Sequence, residues 1–277
     1  MQVMLGLKGS ADKSQYMDRL QYHPDVFEFF TQESDFTKDG LKNLRNAIGF
    51  IQDNAIKKII LHHPMRFHHD IFTELIAPEK NCPELYSFIE QSTIDLLQIA
   101  FDLNVQVLVH GAYLRQTPKY IAMYPSFEDA REAAFTRMDH FSELGKNHIM
   151  FENTISPIFS FGNPKDENEI LSHNYRLAFD TSHCFIAEHG SNEMLIASMK
   201  HLMDATVHYH LVDSMGIKHD SLILGEGKID WKRVLPLLDQ NSKATCIYEI
   251  NLADPTNANE QIKSHNYLVN LANEISN

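Results

Sequence analysis

The sequence predicts a single (β/α)8 barrel of the α/β class, one domain over residues 1–277. Three observations predict it. Eight short runs rich in β-branched and apolar residues recur along the chain, seven stretches of helical periodicity lie among and after them, and no glycine-rich phosphate turn follows the first run. Strict alternation implies parallel strands joined by helical crossovers, and eight such units close into a barrel more readily than they spread as an open sheet. A doubly wound sheet is the competitor, and its dinucleotide-binding form lacks the fingerprint it needs.

Taken in order, the strands are predicted at 2–7 (QVMLGL), 25–30 (DVFEFF), 57–62 (KKIILH), 105–110 (VQVLVH), 148–153 (HIMFEN), 176–181 (RLAFDT), 206–212 (TVHYHLV) and 244–250 (ATCIYEI). Helices are predicted at 39–53, where Leu41, Leu44, Ile48 and Ile51 recur at spacings of three and four, and at 83–102, where Leu85, Ile89, Ile94, Leu97 and Ala100 share a face. Further helices fall at 127–144, 166–174, 192–202, 231–239 and 258–275. No internal repeat, low-complexity tract or linker composition divides the chain.

The totals narrow the function. With 43% apolar and 22% charged residues the chain has ordinary globular composition. A formal net charge of −13 and the lack of any Lys/Arg run weigh against nucleic acid, whose affinity comes from basic side chains displacing counterions. The N-terminus has no sustained apolar core of a signal peptide, and no long apolar run crosses a bilayer, so a cytoplasmic protein without membrane contact is expected. Cys82, Cys184 and Cys246 are too scattered for a disulfide or zinc-ribbon framework and are expected as reduced thiols.

Polar residues collect where predicted strands end. His62 and His63 close the third strand, His110 the fourth, Glu152 the fifth, Asp180 and His183 the sixth, His210 and Asp213 the seventh, and Glu249 the eighth. A barrel turns all eight strand ends to one mouth, so these residues should converge. Singly, each has a bland reading: Asp180 as a helix N-cap, His210 as a hydrogen-bonded core histidine, Asp213 as the cap of the following loop. Together, Glu152, Asp180, His210 and Glu249 form an oxygen-rich set with one imidazole, suited to a divalent ion such as Mn, Co, Mg or Zn.

The motifs FENT (151–154), FDTSH (179–183), HLVDS (210–214), LGEGKIDW (224–231) and YEI (248–250), with HHP (62–64) and VHG (109–111), resemble the xylose isomerase-like barrel superfamily. That group holds sugar and sugar phosphate isomerases and epimerases together with DNA-repair enzymes of the endonuclease IV type. The resemblance implies that Glu152, Asp180, His210 and Glu249 are the metal ligands and that Glu152 and Glu249 also carry protons. It further implies that His183 contacts substrate or a second metal, and that His110 with His62 or His63 matches histidines binding extra zinc in the nuclease branch. The chain departs from both branches. Ser221 stands where the nucleases have a histidine before GEG, and Met215, Gly216 and Ile217 occupy the stretch where ketohexose epimerases place an arginine.

The expected activity is therefore proton transfer next to a carbonyl through an enediolate, in a sugar or sugar phosphate isomerase or epimerase. It would use one divalent ion, or two if a second site forms. Substrate or second-metal contacts are expected from His63, His110, His183, Asp213 and Glu226. Gly225 and Gly227 are expected to let the loop around Glu226 turn sharply, with Trp231 anchoring it by packing. His208 should line the barrel one layer below His210, while His68 and His69 are read as solvent-facing. The partner is a small sugar, and a homo-oligomer is compatible with the sequence. The competing readings are an endonuclease IV-like zinc phosphodiesterase, which requires several zincs and a basic channel, and a sugar-binding barrel without catalysis.

Overall fold

In the computed structural model, which describes residues 3–276, eight parallel strands form one sheet in chain order: β1 (Gly6–Gly9), β2 (Val26–Phe30), β3 (Lys58–His62), β6 (Gln106–His110), β7 (Ile149–Glu152), β8 (Leu177–Asp180), β9 (Thr206–Leu211) and β10 (Thr245–Tyr248). A small antiparallel hairpin, β4 (Arg66–Phe67) and β5 (Ile71–Phe72), rises after β3. The two edge strands of the sheet come together, since a Cβ on Gly6 would lie 1.7 Å from the Cys246 carbonyl oxygen. The architecture is a (β/α)8 barrel.

Helices cover the outside: α1 (Lys13–Leu20), α2 (Lys38–Asp53), α3 (Pro83–Leu103), α4 (Thr117–Ile121), α5 (Phe127–Gly145), α6 (Pro164–Ser172), α7 (Thr181–Ala187), α8 (Asn192–His201), α9 (Trp231–Gln240) and α10 (Asn259–Ser276). Local chemistry sets their starts. Thr37, Ser126 and Ser191 accept from the backbone of the first turns of α2, α5 and α8, and Pro83 occupies the opening turn of α3, where its missing N–H costs nothing. Among the described residues no helix is long and apolar enough to cross a membrane.

Two apolar layers result from the period-2 alternation of the strands. Outward residues such as Phe27, Phe29, Leu61, Val107, Val109, Phe151, Phe179 and Tyr209 pack against the helices. Inward residues Val26, Ile60, Leu108, Met150, Ala178 and Ile247 fill the barrel interior. Two positions further along, on the same inward face, come Glu28, His62, His110, Glu152 and Asp180 on their strands and Glu249 just past β10. The site is thus the next storey of the barrel.

Register holds that storey level. His110 lies opposite Glu152, and Asp180 opposite His210. The second pairing depends on a one-residue slip between β8 and β9 at Leu177/Ala178. Carried on unshifted from Leu177 opposite Thr206, Asp180 would face Tyr209, whose side chain belongs to the outer layer.

The first strand departs from expectation. It runs from Gly6 to Gly9 rather than 2–7, of which Gln2 lies outside the described residues. α1, α4, α7 and the hairpin were also not anticipated from periodicity.

Candidate metal centre

Asp180 shows how one residue serves both structure and chemistry. Its Oδ1 caps α7, accepting from the His183 amide at 2.7 Å and the Ser182 hydroxyl at 2.8 Å. Its Oδ2 is buried without a hydrogen-bond partner. Glu152, at the end of β7, is fully buried; Oε1 lies 3.1 Å from His210 Nδ1, while Oε2 has no hydrogen bond of sound geometry. Glu249 follows β10, with Oε2 2.6 Å from His210 Nδ1 and Oε1 paired with Lys8. Ligand atoms of Glu152, Asp180, His210 and Glu249 all lie within 4.8 Å of one another.

Leaving buried carboxylate oxygens unpaired costs free energy unless a cation neutralises them. The orphan Oδ2 of Asp180, with Glu152, one imidazole nitrogen and a second glutamate beside it, therefore fits a divalent ion. His210 is held from behind. Its Nε2 sits 3.0 Å from Glu28 Oε2, the kind of carboxylate contact that fixes a ligating ring's tautomer and orientation. Glu28 also meets His208 Nε2 at 3.1 Å, and His208 Nδ1 meets the Thr245 hydroxyl at 2.6 Å.

The electrostatics follow from burial and crowding. Burial, then the Glu249 and Asp180 charges, push the Glu152 carboxyl up to about 8, with His210 opposing them. At Glu249 burial also acts upward, but the His210 and Lys8 charges outweigh it and hold the carboxyl well below its usual range. Burial would lower His210, yet the surrounding Glu152, Glu249 and Glu28 hold it well above an ordinary histidine. In the absence of an ion, the two glutamates of the quartet are thus driven in opposite directions.

A second cluster shares Glu152. His62, His110 and Glu152 offer ligand atoms within 4.8 Å of one another, with His62 Nε2 3.2 Å from His110 Nε2 and His110 Nε2 3.2 Å from Glu152 Oε2. Burial lowers His62 to about 4 and His110 well below its usual value, so both rings are neutral donors near pH 7. His183 borders the quartet, its Nδ1 2.9 Å from the Asn153 carbonyl oxygen and its ring stacked on His219 at 4.8 Å between centroids.

Three expected contacts lie elsewhere. His63 faces out of the barrel, because neighbours on a strand alternate, and its Nε2 meets the Ser92 hydroxyl of α3 at 2.7 Å. Asp213 is fully buried but spends its carboxylate on the loop that follows. It accepts from the Ser214, Gly225 and Ile229 amides at 2.8, 2.8 and 3.2 Å and from the Trp231 indole at 2.8 Å. Glu226 is exposed at the tip of that loop. Gly225 takes φ +90°, and a Cβ on Gly227 would fall 2.2 Å from Asp213 Oδ1, which explains both glycines. His68 and His69 are exposed, as expected.

Sequence reasoning passed over Lys8 and Glu28. Lys8 sits inside β1, its ammonium paired with Glu249 and lying 5.8 Å from the centre of the Phe30 ring. Glu28 was visible as a charge at the centre of the apolar run VFEFF, a place where a solvated carboxylate does not belong.

Comparison with solved structures returns the same barrel. A D-tagatose 3-epimerase-like protein aligns at TM-score 0.74 and 19% identity, covering 99% of this chain and 98% of its own. D-psicose 3-epimerase from Clostridium cellulolyticum, solved with D-tagatose, aligns at 0.67 and 13%, covering 98% and 97%. The TTHB071 protein from Thermus thermophilus, soaked with ZnCl2, aligns at 0.65 and 19%, covering 99% of both chains. Among curated proteins none matches the sequence. The model of the xylose isomerase-like TIM barrel family matches residues 25–268, nearly the whole span that builds the barrel and its mouth, and the chain belongs to that family.

Proposed function

We propose that the chain is a divalent-metal-dependent isomerase or epimerase acting on a small sugar or sugar phosphate in the cytoplasm, by proton transfer next to a carbonyl. The observation that carries this reading is the convergence of ligand atoms of Glu152, Asp180, His210 and Glu249 within 4.8 Å of one another, with Asp180 Oδ2 buried and without a hydrogen-bond partner. Epimerases among the solved structures with this fold support it.

Glu152, Asp180, His210 and Glu249 would hold the ion. Bound there, it would draw electron density from a carbonyl oxygen and lower the cost of an enediolate. The chain's own residues do the rest. Glu152 and Glu249 both border the point where the ion would sit, so one would take the substrate proton while the other returns one. Glu28 holds the His210 ring, and the Asp213-anchored loop closes one side of the mouth.

The test is elemental analysis of the purified protein with Glu152→Ala and Glu249→Gln as controls. About one Mn, Co, Mg or Zn per chain, lost in the variants, is expected for this donor set. Full metal content and turnover in Glu249→Gln would remove Glu249 from the site. The His62–His110–Glu152 cluster favours a second reading, phosphodiester hydrolysis over two or more zincs, and a stoichiometry above about one would select it.

A further inference from the structure

Within the ring of inward residues Lys8 is the lone ammonium. Among the described residues, the only Lys or Arg ion pair made by any of Glu28, Glu152, Asp180 or Glu249 is that of Lys8 with Glu249. Its position in the ring is informative. The Lys8 and Glu249 side chains are 17% and 19% exposed, whereas Glu152 and His210 are sealed at 0%. The Lys8–Glu249 edge is therefore the side of the site that a ligand reaches first.

An ammonium has three donors, and Lys8 uses one on Glu249 Oε1. Glu249 engages His210 through its other oxygen, Oε2. A cation held by the quartet would meet Glu249 from the His210 side and leave Lys8 with two donors that make no hydrogen bond among the described residues. Phe30 sits beside the ammonium and steadies it without supplying an acceptor.

The surroundings also select the kind of anion. A phosphate dianion is usually met by several amide donors at a helix N-terminus or glycine nest. The helix that follows Lys8 is α1, and its N-terminus is already capped by a carboxylate, Asp12 Oδ1, at 2.8 Å from the Ser14 amide. The Ser10 amide is taken by Gln15 Oε1 at 3.0 Å. With the Ser10, Asp12 and Ser14 amides of the following loop already taken, the Lys8 ammonium matches a single negative charge.

We propose that Lys8 is the specificity-determining cation of this site and takes the carboxylate of an acidic sugar that also carries a carbonyl, a uronate or keto acid, whose adjoining oxygens face Glu152, Asp180, His210 and Glu249. This rests on the isomerase or epimerase reading above and narrows its substrate class.

The experiment is calorimetric titration of the full chain, first with Mn²⁺ and then, Mn²⁺-loaded, with three non-reacting probes: the monocarboxylate threonate, its neutral counterpart threitol, and glycerol 3-phosphate. Wild type is compared with Lys8→Met and Lys8→Gln, both checked for folding by circular dichroism. A charge-assisted hydrogen bond predicts threonate affinity at least about tenfold weaker in both variants, with threitol affinity unchanged. Threonate binding equal in wild type and variants overturns the role of Lys8 while leaving the metal site standing. A larger loss for glycerol 3-phosphate than for threonate overturns the carboxylate assignment. Failure of wild type to bind Mn²⁺ overturns the metal-site reading and the Lys8 inference with it.

Discussion

Replacing Asp213 by Asn probes how the loop over the mouth is held. In the native chain two donors meet each carboxylate oxygen: the Ser214 and Ile229 amides at Oδ1, the Gly225 amide and Trp231 indole at Oδ2. An asparagine keeps one acceptor and turns an NH2 toward two of those donors, so two bonds are lost whichever way the amide sits. Hydrogen bonds to a charged acceptor are worth roughly 1.5–3 kcal/mol each, which bounds the loss at about 3–6 kcal/mol before water reaches the loop. Trp231 is the only tryptophan in the chain, so its emission reports the loop directly. Urea unfolding followed by circular dichroism should show a loss of more than about 2 kcal/mol, with a red-shifted Trp231 emission in the folded baseline. Trp231→Phe removes one donor, and the double variant should lose less than the two singles added together. A destabilisation under about 1 kcal/mol with native Trp231 emission would refute the claim that this carboxylate organises the loop.

Glu28→Gln should leave a folded barrel whose Mn²⁺ affinity falls by roughly 10–100-fold, because the His210 ring loses its orienting carboxylate; an unchanged dissociation constant in calorimetry would show that His210 is held without it. Glu74, buried and pushed up to about 8, should make stability depend on pH. With its folded pKa above the unfolded value, its contribution is complete below about 4.5 and is lost as pH rises toward about 8. Glu74→Gln should match wild type in urea at pH 5 and exceed it at pH 8, and an equal gap at both would contradict the shift. Gly6→Ala places a Cβ 1.7 Å from the Cys246 carbonyl oxygen and should cost more than about 3 kcal/mol, so a variant melting with wild type would mean that β1 and β10 do not close the barrel this way.

The fold was legible because the strands that form the barrel are largely apolar on both faces below the mouth, so seven of the eight stand out as runs, β9 the most polar of them with its inward His208. The first did not, for a physical reason. GLKG carries a glycine where β10 presses against it and a lysine paired with Glu249, so its composition contradicts a strand while its environment demands one. Helix α7 was hidden differently: at seven residues it is too short for periodicity, and the legible signal was Asp180, read correctly as an N-cap without the helix being drawn from it.

The site residues follow one rule that the sequence already contained. In each of six strands an inward apolar residue is followed two positions later by a titratable one: Val26 and Glu28, Ile60 and His62, Leu108 and His110, Met150 and Glu152, Ala178 and Asp180, Ile247 and Glu249. Reading only strand ends finds five of these, because only in β2 does the chain continue as strand beyond the functional residue. Reading the inward face finds all six, and carried to β1 it adds Lys8, two residues after Gly6. The same alternation rejects His63, which is adjacent to an inward His62 and so must point outward to Ser92. Face, rather than proximity to a strand end, decides membership of the ring. β9 meets the rule only through its slipped register, which sets His210 opposite Asp180 and lets both of its histidines reach Glu28. The irregularity that a pattern search would discard is what delivers the single imidazole to the quartet.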